Sequence, residues 1–289
     1  MKILVTGAQG QLARSLVERA GRQHELIAVG RPELDLEQPG SAARVIELVG
    51  PDLVINAAAY TAVDHAEDEP ELAFRINADG AGEVAEAAAR LDAPVIHIST
   101  DYVFDGRARE PYDESAATNP LSVYGRSKLA GEEQVRATNA RHIIVRTAWV
   151  YSPFGRNFVK SMIAAAETRD TLTVVDDQVG SPSSALDIAD GLLRVAAADE
   201  RGFGQTYHLA ATGSTSWCGF ARAVMEECAR HCLPTADVQP ITSEQWPTKA
   251  ERPRNSVLSS AKFERDFGFV MPRWEESLAE VVERLATAR

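Results

Sequence analysis

Five short runs rich in valine and isoleucine, at 2–6, 25–29, 53–56, 94–99 and 142–146, alternate with longer helical patterns at 11–22, 41–49, 71–90 and 121–138. Strands that are apolar nearly throughout must be covered on both faces. With a helix between each pair, the arrangement that satisfies them is a doubly wound α/β fold built on a parallel sheet. Such a sheet binds ligands beyond the carboxyl ends of its strands, near the point where strand order switches. Every functional residue is therefore expected just after a strand.

Beyond Thr147 the pattern loosens. The segment 149–157 reads as a loop, followed by a helix to about 168, a strand at 171–175, a helix at 185–198 and a short strand at 205–209. A helix at 216–230, an irregular stretch over 233–260 and a last helix from about 274 complete the chain. We expect 1–147 with 172–210 to form the sheet domain, and 148–171 with 211–289 to form a smaller lobe over the strand ends.

Composition narrows the function. Thirty basic side chains stand against 42 acidic ones, a formal charge of −12, and no basic stripe interrupts the acidic surface, which disfavours nucleic acid as a partner. No apolar run is long enough to span a bilayer and no leader pattern precedes the first strand, so no membrane partner is expected. Three cysteines without a CxxC pair suit a reduced, cytoplasmic chain without disulfides or structural zinc.

The segment Gly7-Ala8-Gln9-Gly10-Gln11-Leu12-Ala13 joins the first strand to the first helix. Gly7 and Gly10 permit a tight turn and close approach of a phosphate to backbone, and the helix N-terminus offers unpaired N–H groups with partial positive charge. The spacing is GxxGxxA rather than GxGxxG, and its strand–turn–helix setting points to a dinucleotide in a Rossmann-like fold. A strictly NAD-binding chain places a carboxylate at the end of the second strand. Here Val29 is followed by Gly30 and Arg31, and a guanidinium suits a 2′-phosphate, favouring NADPH with NADH still possible.

Tyr124 and Lys128 lie four residues apart within a helical pattern, on one helix face. They follow the strand ending Ser99-Thr100-Asp101-Tyr102. A phenol with an ordinary pKa of about 10 must fall by about three units, or about 4 kcal/mol, to act as acid and base near neutrality. An ammonium about 4 Å away contributes about 4 kcal/mol at an effective dielectric of 20. We therefore expect Lys128, helped by the Thr100 hydroxyl, to depress the Tyr124 phenol. His97 reads as a satisfied core residue, and Cys228 and Cys232 as packing residues. No GxSxG elbow, HExxH pair or GxxxxGK[ST] loop offers a rival chemistry.

Taken together these residues resemble the extended short-chain dehydrogenase/reductases and, within them, the dTDP-4-dehydrorhamnose reductase family. The resemblance spans essentially the whole chain. Its landmarks are the glycine loop, Asn56-Ala57-Ala58-Ala59-Tyr60-Thr61-Ala62-Val63-Asp64, the STDYVFDG segment beginning at Ser99, the YGRSKLAGE segment beginning at Tyr124, the RTAWVY segment beginning at Arg146, Asp177-Gln178-Val179-Gly180-Ser181-Pro182 and Arg252-Pro253-Arg254-Asn255-Ser256. The resemblance implies NADPH-dependent reduction of a nucleotide sugar's 4-keto group. Tyr124 would protonate the forming alkoxide, Lys128 would hold the nicotinamide ribose, and Thr100 would hydrogen-bond the reacting oxygen. By the same resemblance Asp101, Val103 and Trp149 line the sugar pocket, and Gly10, Gln11, Leu12, Arg31, Asp35, Leu36, Ala59, Tyr60 and Thr61 line the cofactor side. Asn157, Gln178 and Arg252 face the nucleotide and its diphosphate.

Some members of that family form a magnesium-bridged dimer through a glutamate early in the first helix. Ser15 occupies that place here, so neither the metal nor that dimer is expected, and the chain should be a monomer or weak homodimer. Two other readings remain. One is an epimerase or dehydratase of the same superfamily, although a dehydratase's Asp-Glu pair is missing after Thr100. The other is a non-catalytic NADP-binding regulatory subunit.

Overall fold

The computed structural model describes residues 1–21, 24–198 and 200–288. Strands β1 (Lys2–Thr6), β2 (Glu25–Val29), β3 (Leu53–Asn56), β4 (Val95–Thr100), β5 (His142–Thr147) and β6 (Gln205–His208) form one sheet in the order β2-β1-β3-β4-β5-β6. Every neighbouring pair in it is parallel. From β1 the chain steps outward to β2 and then returns to β3 on the other side. The crevice of a doubly wound sheet therefore opens beyond the carboxyl ends of β1 and β3.

The pleat distributes the apolar side chains between two layers. Ile3, Val5, Ile55, Ile96 and Ile143 face one side, where α1 (Gln11–Arg19) and α6 (Ala185–Ala196) pack together with α7 (Trp217–Arg230) and α8 (Trp274–Thr287). Leu4, Val54 and Val95 face the other, against α2 (Ser41–Val49), α3 (Gly80–Arg90) and α4 (Val123–Thr138). Cys218 and Cys228 are buried among the packing residues of α7, while Cys232 is exposed. No helix of the described residues is long and apolar enough to cross a membrane.

Most elements lie where the sequence pattern places them, with informative differences. The end of the first helix expected at residue 22 lies outside the described residues, as does residue 289 of the smaller lobe. The continuous helix expected over 71–90 is a short α segment (Pro70–Phe74), a π turn (Arg75–Asp79) and α3. The strand at Thr171–Val175 does not join the main sheet; it pairs in parallel with Asp237–Ile241, inside the stretch expected to be irregular. Pro240 and the alternating polar residues Asp237 and Gln239 hid that second strand. The expected loop at 149–157 contains Val150–Tyr151, a two-residue strand paired with Ser183–Ser184. Helix α5 (Phe158–Ala166) follows, capped by Asn157.

Candidate active site

A cleft of about 840 Å³ opens at the carboxyl edge of β1, β3, β4 and β5. At its floor, β1 runs into Gly7, whose φ of +80° is a left-handed conformation suited to glycine. A Cβ there would sit 3.1 Å from the Ala58 backbone, tighter than ordinary contact, so the absent side chain eases the close approach of the loops after β1 and β3. Gly10 then caps α1 without any side-chain bond to the helix N–H groups, and the first turn carries no acidic residue. The free N–H groups and uncompensated dipole of α1 therefore fit an anionic diphosphate. Gly7, Gly10, Gln11, Leu12, Arg31, Asp35, Leu36, Ala59, Tyr60 and Thr61 all line this cleft. The Arg31 guanidinium is exposed at its rim, 3.2 Å from Glu37.

The π turn shapes the opposite wall. It directs Asn77 so that its Oδ1 accepts the Tyr60 N–H (2.8 Å) while its Nδ2 donates to the Tyr60 carbonyl (3.0 Å) and to Ser127 Oγ (2.9 Å). One buried amide thus ties the loop after β3 to the helix carrying Tyr124 and Lys128. Gly131 makes the approach possible, since a Cβ there would lie 2.0 Å from the Asn77 carbonyl oxygen.

Thr100, Tyr124 and Lys128 converge in the cleft. Thr100 ends β4, and Ser122 caps α4 by accepting the Gly125 N–H. The Thr100 hydroxyl donates to Asp101 Oδ1 at 2.8 Å and is hydrogen-bonded to the Tyr124 phenol. The expected depression of Tyr124 by Lys128 is not what the structure shows. Burial, countered by the Thr100 hydrogen bond and reinforced by the Asp101 charge, pushes the phenol up to about 12. Lys128 Nζ points instead to the Ile98 carbonyl at 2.6 Å and to His97 Nε2 at 3.4 Å, and burial brings its pKa down to about 8. A four-residue spacing places Tyr124 and Lys128 on one helix face but leaves the direction of a four-carbon side chain to its surroundings.

Beneath this cluster lies a charge network. Glu132, one turn beyond Lys128, is fully buried and accepts two hydrogen bonds from Arg146 (2.8 and 2.7 Å), one from Ser99 Oγ (2.6 Å) and one from Arg136 (2.8 Å). Burial pushes its carboxyl upward, but Arg146, Ser99 and Arg136 together outweigh it and hold the group below the ordinary range.

Asp101 is 2% exposed, and burial, opposed by the Thr100 and Ser256 hydroxyls, raises its carboxyl to about 6. A carboxyl whose folded value exceeds its unfolded value of about 3.9 binds protons more tightly when folded. Its ionisation thus costs nothing below about pH 4 and the full penalty above about pH 6. Asp101→Asn is therefore expected to stabilise the fold by about 3 kcal/mol at pH 8, an advantage that vanishes towards pH 4. Urea denaturation of both proteins at the two pH values checks this, and a pH-independent difference would refute it.

Trp149 also lines the cleft, stacked on Trp217 at 3.5 Å with rings 4° apart, and its Nε1 donates to Ser256 Oγ. Four expected residues do not line the cleft. Val103 is fully buried behind it with Phe104 and Tyr112. Asn157 caps α5 and donates to Gln11 Oε1 at 3.0 Å, Gln178 donates to Ser243 Oγ at 2.9 Å, and Arg252 pairs with Asp64 at 2.6 Å. Sequence reasoning missed Thr147, Tyr102 and Trp217, which do line it. Thr147 stands opposite Thr100 in the β4–β5 register, with its Oγ1 buried and without a hydrogen-bond partner among the described residues. The strand-end rule could have found Thr147; nothing local marks Trp217.

The family model described as the RmlD substrate binding domain matches residues 1–287. A dTDP-4-dehydrorhamnose reductase of Sinorhizobium fredii is 46% identical, over 98% of this chain and 97% of its own. The chain belongs to the dTDP-4-dehydrorhamnose reductase family. Solved structures of the family agree. The reductase of Clostridium acetobutylicum superposes with a TM-score of 0.93 at 42% identity, covering 99% of each chain. That of Bacillus anthracis, solved in complex with NADP, gives 0.92 at 35% identity, over 98% of this chain and 99% of its own.

Proposed function

We propose that this chain uses NADPH to reduce the 4-keto group of dTDP-4-dehydro-L-rhamnose, giving dTDP-L-rhamnose. The observation that carries the reading is the convergence of Thr100, Tyr124 and Lys128 in one cleft with an uncapped, glycine-led helix N-terminus. The cofactor would lie along Gly7–Leu12 with its diphosphate on α1, its adenosine end near Arg31, Asp35 and Leu36, and its ribose beside Ala59, Tyr60 and Thr61. When bound, the reduced nicotinamide supplies a hydride to the carbonyl carbon.

The chain's own residues handle the proton. With its pKa near 12, the Tyr124 phenol is protonated at neutral pH, the form that can give its O–H proton to an alkoxide forming at the ketone oxygen. Thr100 orients that oxygen by hydrogen bonding, and Lys128 donates to the nicotinamide ribose. Asp101 and the Trp149 face would receive the sugar, with Val103 supporting the pocket from behind. Arg252 suits the diphosphate, because its Nε is buried without a partner among the described residues. Asn157 would act through Gln11, and Gln178 through the neighbouring Ser243. The sequence division is retained in this proposal, 1–147 with 172–210 for the cofactor and 148–171 with 211–289 for the sugar nucleotide, except that the paired strand at Thr171–Val175 joins the second group. We further propose a cytoplasmic monomer or weak homodimer without magnesium. Ser15 is buried and donates to the Gln11 carbonyl, so that place in α1 holds no carboxylate for a bridging metal.

The test follows NADPH absorbance on adding enzymatically generated dTDP-4-dehydro-L-rhamnose. Stoichiometric oxidation, slower with NADH, is the expected result. Tight NADPH binding with no oxidation by the keto sugar would instead identify a regulatory subunit.

A further inference from the structure

His97 lies within β4, fully buried, and takes no part in the steps above. A hydrogen-bond chain reaches it from the cofactor loops. The Ala58 N–H donates to the Thr6 hydroxyl (3.0 Å), that hydroxyl donates to Asn56 Oδ1 (2.7 Å), and Asn56 Nδ2 lies 3.1 Å from His97 Nδ1. The Thr6 side chain is completely buried. Turning the Asn56 amide round would leave the single Thr6 hydroxyl proton without an acceptor, so the chain's direction is set from its backbone end. His97 Nδ1 is then an acceptor. A neutral imidazole carries one ring proton, which must sit on Nε2, and Nε2 faces Lys128 Nζ at 3.4 Å.

A ring N–H aimed at an ammonium finds nothing to accept it, whereas aimed at an uncharged amine it meets a lone pair. We propose that His97 is a positioning residue for Lys128, presenting its Nε2–H to Nζ and so disfavouring the ammonium relative to the uncharged amine. The inference rests on the role proposed for Lys128 and deepens it.

Other groups around the pair support this arrangement. Burial, with the Lys128 and Arg136 charges, drives His97 well below the usual imidazole range and keeps the ring neutral. On α4 the titratable or charged neighbours are Tyr124, Glu132 and Arg136, and on β5 there is Arg146, itself clamped to Glu132. Only Glu132 favours a charged Lys128, and its carboxylate is already committed to Arg146, Arg136 and Ser99. From β3 the partner is the neutral Asn56.

The test uses the full chain without cofactor. Nitrogen-15 histidine spectra report the His97 tautomer, and carbon-13 ε-labelled lysine titrations report the Lys128 midpoint, assigned with His97→Phe and Lys128→Met. The expected results are the Nε2–H tautomer in the wild type and a Lys128 midpoint about two pH units below the ordinary lysine value. In His97→Phe that midpoint should rise by about one pH unit, and the alkaline limb of kcat should move with it. An Nδ1–H tautomer, or an unmoved midpoint in a folded His97→Phe protein, overturns the proposal. If that variant does not fold, the wild-type tautomer decides alone. Neither spectrum requires turnover, so failure of the reductase reading would show separately, as absent NADPH oxidation with both signals intact.

Discussion

Tyr124→Phe is expected to lower kcat by at least about a hundredfold while leaving NADPH binding within a few-fold of wild type. The substitution deletes one oxygen and keeps the ring, which packs edge-on against Tyr102 with centroids 5.5 Å apart. The helix face and the cleft wall are therefore preserved. What disappears is the proton that must reach the ketone oxygen as hydride arrives at carbon. Thr100 does not substitute, because an aliphatic alcohol is a far weaker acid than a phenol and cannot serve as the proton donor. Single-turnover oxidation of NADPH, beside a cofactor titration, separates the loss of proton transfer from a loss of binding. Equal single-turnover rates would remove Tyr124 from the chemistry. Burial holds the phenol near 12, so any alkaline limb below about pH 10 belongs to another group, with Lys128 the first candidate.

The second large effect concerns stability. Glu132→Ala is expected to cost about 3–5 kcal/mol, because it strands the Arg146 guanidinium, only 4% exposed, without its counter-charge. Arg136 loses less, since it is partly exposed and also donates to Thr206 Oγ1 in β6. The cost arises from an unpaired buried charge rather than from lost attraction. The double substitution Glu132→Leu with Arg146→Met, which fills similar volume with apolar atoms, should therefore recover most of the stability. Urea denaturation of the single and double variants measures both. A single variant within about 1 kcal/mol of wild type would show that water reaches Arg146 and that the network is not buried in solution. The network also fixes the site: Ser99 precedes Thr100, Thr147 follows Arg146, and Lys128 lies one turn before Glu132. Unequal losses of kcat and stability in the double variant would separate that positioning role from the purely structural one.

Much of this was legible in the chain alone, for a definable reason. A parallel strand buried on both faces must be apolar throughout, and a phosphate-binding turn must be glycine-rich and follow a strand. Both requirements are local, so β1 to β5, the Gly7–Gly10 turn and the Tyr124/Lys128 face could be read from neighbouring residues. The Ser99–Gly106 and Arg146–Tyr151 segments likewise marked the family from a few contiguous residues. Other features depend on partners far away in sequence. Strand Asp237–Ile241 has little apolar character and exists because Thr171–Val175 offers it an edge. Trp217 reaches the cleft through ring contacts with Trp149 and Phe158, both distant in sequence. Arg252 meets Asp64, and Gln178 meets Ser243, across loops that no local pattern connects.

By itself the sequence determined the layered sheet, its phosphate-binding end and which hydroxyls and amine could meet there, because periodicity and turn chemistry act over a few residues. Only the tertiary structure decided the proton states. They depend on how completely Tyr124, Lys128, Asp101 and His97 are withdrawn from water and on which neighbour each polar atom faces, and burial and facing arise only when distant segments pack.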